Sequence, residues 1–160
     1  MGVVGVTATF VASLPAVSSY WLETWLIAAL AASAVGVLLI ARQPARGFTL
    51  YSGPAQKFVM SLCPALLAGA VLTGVFWQEG LTPLIPGMWL LLYGCAVLSA
   101  SMMTSAAMMR LIMLMGGLFV VYGLIAFQLP IRWHNYTLGL GFGVLHLLFG
   151  ILIGRTDRVE

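Results

Sequence analysis

The stretch WLETWLIAALAASAVGVLLIA, residues 21–41, is 21 residues long and carries one charge, Glu23. At about 1.5 Å per residue, a helix of that length rises about 31 Å, enough to cross a hydrocarbon core of about 30 Å. A bilayer interior offers no water to backbone N–H and C=O groups, so such a segment crosses as a helix bonded within itself. Glu23 falls in the first turn, where the helix dipole favours an acid and the headgroups remain within reach. The next residues, RQPARGFTLYSGPAQK at 42–57, hold Pro44, Gly47, Gly53 and Pro54 with three of the seven basic residues, Arg42, Arg46 and Lys57. They form a connection, and their charge assigns it to the cytoplasmic side.

The remaining sequence repeats this alternation. Of 160 residues, 62% are hydrophobic and 7% charged, whereas a soluble domain carries about 25% charged residues and needs them to cover its surface. Apolar runs at 3–17, 58–77, 87–103, 111–128 and 136–154 join the run at 21–41. The expected fold is therefore an all-α, polytopic transmembrane bundle of six spans in a single domain, or of five if the short run ending at Pro15 does not cross. Pro64 inside the third run predicts a kink. Trp89 and Tyr93 read as belt residues of the fourth run, near the membrane interface. The Met- and Ser-rich stretch before Arg110 reads as a turn between about Met103 and Met109, and RTDRVE at 155–160 reads as a charged tail.

Alternation orients the chain. If 42–57 is cytoplasmic, so are Arg110, Arg155 and Arg158, leaving Arg132 as the one basic residue outside, with Glu23 and Glu79 on its side. The formal charge of +3 is thus a topology signal; the basic residues form no stripe of the kind that binds nucleic acid.

Close packing must hold such a bundle together, because lipid is as apolar as leucine. The last run offers Gly139, Gly143, Gly150 and Gly154 around His146. Read as a regular helix, these steps of three and four residues share one face, open to a neighbouring helix or a flat ligand. His146 is the most informative residue, since ionisable groups at mid-membrane are expensive. It suits a hydrogen bond to another helix, ligation of a haem or chlorophyll-type pigment with Gly143 and Gly150 giving room, or contact with a proton or substrate. His134 lies about 18 Å of helix rise away, too far to be a second ligand. Glu79, Arg132 and His146 are the residues a transport path would use.

Six of the nine methionines fall within 102–115; they read as a packing seam, with copper(I) binding as the chemical alternative. Cys63 and Cys95 sit in apolar runs as small hydrophobes. No HExxH, GxSxG, phosphate-binding loop or dinucleotide fingerprint occurs, so an enzyme acting alone is not expected.

Several stretches carry a resemblance: WLETWLIAALAASAVGVLLIAR, SGPAQKF, PALLAGAVLT, PGMWLLLYG and GLGFGVLHLLFGILIGR. In this order they resemble an uncharacterised group of small bacterial multi-pass membrane proteins, over roughly the last 140 residues. The resemblance implies the same topology, a histidine matching His146 in a glycine-rich last helix, and a signature at PGMWLLLYG. The chain departs from the group over 99–109.

The leading expectation is an accessory or structural subunit of a larger complex in the bacterial inner membrane, in contact with lipids and other integral subunits. A small channel or secondary transporter is the alternative.

Overall fold

The computed structural model describes residues 1–41, 54–102 and 106–156. Most of the expected loop 42–57 and tail 155–160 therefore lies outside the described residues. The chain is an all-α bundle: α1 (Gly2–Ala12), α2 (Trp21–Ala41), α3 (Pro54–Gln78), α4 (Ile85–Ser101), α5 (Ala106–Ala126), α6 (His134–Leu138) and α7 (His146–Thr156). A seven-residue π-helical segment, Gly139–Leu145, joins α6 to α7 as one rod. Five helical stretches are long and apolar enough to cross a membrane, and the chain is a multi-pass membrane protein.

Within this chain the first run is helical only over Gly2–Ala12, a rise of about 16 Å. Among the described residues, five helices are thus long enough to cross, the number expected if the short first run does not. The helix starts follow local chemistry. α3 begins at Pro54, where a missing N–H leaves no intrahelical bond unmade. It continues through Pro64. It ends in a Schellman motif: Leu81 N–H donates to the Phe76 carbonyl at 2.7 Å and Gly80 N–H to that of Trp77 at 3.3 Å. Gly80, at φ +70°, supplies the left-handed residue the motif needs. α5 begins at Ala106, so Met108 and Met109 belong to a helix rather than to the expected turn.

α4 is the central helix. Buried residues make up 56% of its span, against 6% for that of α3. It packs antiparallel to α5 through glycines seven residues apart on each helix, Gly94 facing Gly116 and Gly87 facing Gly123. A Cβ at Gly94 would lie 2.7 Å from the Val120 nitrogen, and one at Gly123 2.6 Å from the Leu91 nitrogen. Repetition every seven residues keeps one face towards one partner along its length, and the missing side chains bring the backbones together.

Hydroxyls along the helices are satisfied internally: Thr7, Thr9, Thr24, Ser33 and Ser99 donate to carbonyls four residues back. Alternation of the helices places Arg110 and Arg155 at one end of the bundle and Arg132 at the other. The second end, which also holds Glu23 and Glu79, is here called the tryptophan end.

Candidate functional site around His146

Glycine allows the local geometry. In the sequence GLGFGVL, three of seven residues lack a Cβ, and the i→i+5 closure of a π-helix is a feature often found at functional sites. The wider turn delivers Phe142 and His146 to the same interior point from successive turns. α4 brings Tyr93 there, and α5 brings Phe119, which is completely buried.

The Tyr93 hydroxyl and His146 Nε2 are hydrogen-bonded at 2.7 Å. Three rings enclose the imidazole. Tyr93 lies with its centroid at 5.2 Å, Phe119 meets it edge-on at 5.3 Å, and Phe142 stacks at 6.1 Å. Tyr93 in turn meets Phe119 and Phe142 edge-to-face at 4.9 and 5.3 Å, arrangements that aromatic quadrupoles favour. His146 Nδ1 is buried and makes no hydrogen bond of acceptable geometry; the Gly141 carbonyl is its neighbouring acceptor.

Several expectations change at this site. Tyr93 is no belt residue; it is the interior partner of His146. His146 Nε2 is engaged by a phenol and Nδ1 is buried, while the residue also borders a pocket with Gly150. Among the described residues no three metal-ligating side chains of the His, Cys, Asp or Glu type cluster.

The glycine stripe divides. A Cβ on Gly143 would lie 2.8 Å from the Val6 side chain, and one on Gly139 would run into Thr9. Gly2 and Gly5 present their own missing side chains to Gly143 and Phe142. Those positions are therefore covered by α1, antiparallel to the π-segment. Nothing lies within 4 Å of a Cβ placed at Gly150 or Gly154. Gly150 borders the start of α1, in a pocket it shares with Met1, Gly2 and His146, so α1 covers the stripe over part of its length only.

A second polar cluster was not anticipated. Asn135, expected in a connection, lies in the first turn of α6 and accepts from the indole N–H groups of Trp21 at 2.7 Å and Trp25 at 3.1 Å. Its amide nitrogen donates to the Ala12 carbonyl at 3.0 Å and to Ser13 Oγ at 3.2 Å. Trp21 stacks on Trp89 at 6.2 Å. The Trp89 indole donates to Thr73 Oγ1, whose own proton goes to the Gly69 carbonyl, four residues back. His134 is also buried here, beside Trp21, with Nε2 unpartnered. The recurrence of tryptophan at 21, 25 and 89 was the available signal, but the contacts span over 60 residues of sequence.

Glu79 and Arg132 are exposed at the tryptophan end, while His146 lies deeper among its rings. The three do not converge. No family model, curated protein or solved structure matches the chain.

Proposed function

We propose that this chain is an accessory or structural subunit of a larger bacterial membrane complex, held in the cytoplasmic membrane with its basic loops and C-terminus inward. One observation carries the reading: Glu79, Arg132 and His146, the residues a transport path would need, stay apart, and aromatic and aliphatic side chains fill the interior between them. A conducting path through a bilayer needs polar groups lining water; here the interior polar groups are mostly turned on one another. Gly150 and Gly154, open on the surface of α7, support contact with a neighbouring helix, because small residues let backbones approach in lipid. The resemblance to bacterial multi-pass proteins supports the compartment.

The test is extraction of the protein from its native membrane in mild detergent, followed by mass and ultraviolet–visible spectrum. A large particle with stoichiometric partners is expected, without a pigment band that depends on His146. A colourless particle of one or a few copies of this chain would overturn the reading and turn attention to transport in liposomes.

A further inference from the structure

At the tryptophan end, α1 and α5 stand apart on either side of the rod formed by α6 and the π-segment. The space between them is an open groove of ≈ 610 Å³. Val6, Thr9 and Phe10 of α1 form one wall, Tyr122 of α5 the other, and Thr137, Gly139, Leu140 and Val144 line the floor between them. The hydroxyls of Thr9 and Thr137 are committed to the Gly5 and Trp133 carbonyls within their own helical turns. What remains to face an occupant is almost entirely hydrocarbon.

The groove's mouth marks the headgroup level. Trp133 and Tyr136 both line it and meet edge-on at 5.9 Å, and exposed Trp and Tyr settle at membrane–water interfaces. Arg132 is exposed immediately beside Trp133. Of the arginines among the described residues, Arg110 and Arg155 lie at the opposite end. The acids of the tryptophan end, Glu23 and Glu79, sit on α2 and beyond α3, away from the elements that line the groove.

We propose that this groove binds one anionic phospholipid, an acyl chain lying along α1 and the phosphate meeting Arg132. An apolar groove of ≈ 610 Å³ has room for a hydrocarbon chain. A cation at headgroup level selects a lipid of net negative charge over a zwitterionic one. The occupant would fill the gap that leaves α1 without a neighbour on its α5 side.

Native mass spectrometry of the full chain, with added phosphatidylglycerol or phosphatidylcholine, tests the assignment. One phosphatidylglycerol is expected to be retained in preference to phosphatidylcholine. Arg132→Gln should lower that retention about fivefold. Val144→Trp, at an exposed groove position, should lower retention of both lipids. Arg110→Gln, at the other end, should leave it unchanged. Equal retention of the two lipids, an unaffected Arg132→Gln protein, an unaffected Val144→Trp protein, or an equal loss in Arg110→Gln would each overturn the proposal. None of these outcomes depends on whether the chain has partner subunits.

Discussion

Two polar clusters lie within the bundle, and they differ in how completely they are satisfied. Asn135 uses both acceptor sites and both amide protons, joining α2, the end of α1 and the start of α6. His146 uses one ring nitrogen on Tyr93 and keeps the other enclosed without a good partner. In a low-dielectric interior, a saturated network locks a single arrangement, whereas a group with spare capacity does not. The Asn135 hub therefore reads as the fixed point of the fold, although His134 nearby keeps an unpartnered Nε2. The His146 box is the place where a rearrangement would be least opposed.

The largest expected effect comes from breaking the saturated cluster. Asn135→Leu strands two indole N–H groups and the Ala12 carbonyl, and each unmatched buried group costs about 1–3 kcal/mol. Some will find water near the interface, so the expected loss is about 3 kcal/mol in equilibrium unfolding in detergent micelles. A loss below that of any single tryptophan variant would mean that Asn135 is a bystander, and the contrast between the clusters would fail.

Tyr93→Phe should cost less, about 1 kcal/mol, because it removes one bond and leaves an imidazole that already tolerates an unpaired nitrogen. The sharper comparison is the double variant Tyr93→Phe with His146→Leu. Removing both polar partners leaves nothing stranded, so its stability should exceed that of the single Tyr93→Phe protein. Should the double variant instead be the least stable of the set, the box depends on its hydrogen bond more than the comparison allows.

Smaller still is the difference between the two indoles. Trp21→Phe and Trp25→Phe each remove one donor to the same Asn135 oxygen, and hydrogen bonds between membrane helices average about 0.6 kcal/mol. Trp21 makes the shorter bond and also stacks on Trp89, so its replacement should be the more costly. The same unfolding measurement ranks them, and a reversed order would place the anchoring of α2 at Trp25.

These clusters were unequally legible in the sequence. The five crossing helices could be read because bilayer thickness dictates the length of an apolar run, and their ends fall within a few residues of expectation, except where Ala106 starts α5 inside the supposed turn. Side-chain partners were another matter. Tyr93 looked like a belt residue because its distance into α4 counts from a helix start at Ile85, two residues before the expected one, and because its partner is 53 residues away. Asn135 looked like part of a connection because polar residues in a short linker are ordinary. The seam of α4 and α5 was written in glycines seven apart, at 87 and 94 and at 116 and 123, but attention to steps of four passes over it. The π-segment left no trace beyond glycine content. A repeat read as one face is covered by α1 at Gly139 and Gly143 and left open at Gly150 and Gly154.

That division gives the most selective prediction, and Gly150→Ala the smallest change in stability. Gly143→Ala places a Cβ 2.8 Å from Val6, so α1 must shift and the protein should be destabilised by about 1–3 kcal/mol. Gly150→Ala places its Cβ in open space. Alanine is the better helix former by as much as about 1 kcal/mol, so the isolated chain should be unharmed or slightly more stable. If Gly150 serves contact with a partner helix, the same substitution should nevertheless weaken co-purification of that partner from native membranes, because one added methyl forces the backbones apart. Unchanged stability together with unchanged assembly would remove Gly150 from any interface. A loss of stability like that of Gly143→Ala would mean that the two ends of the stripe are packed alike after all.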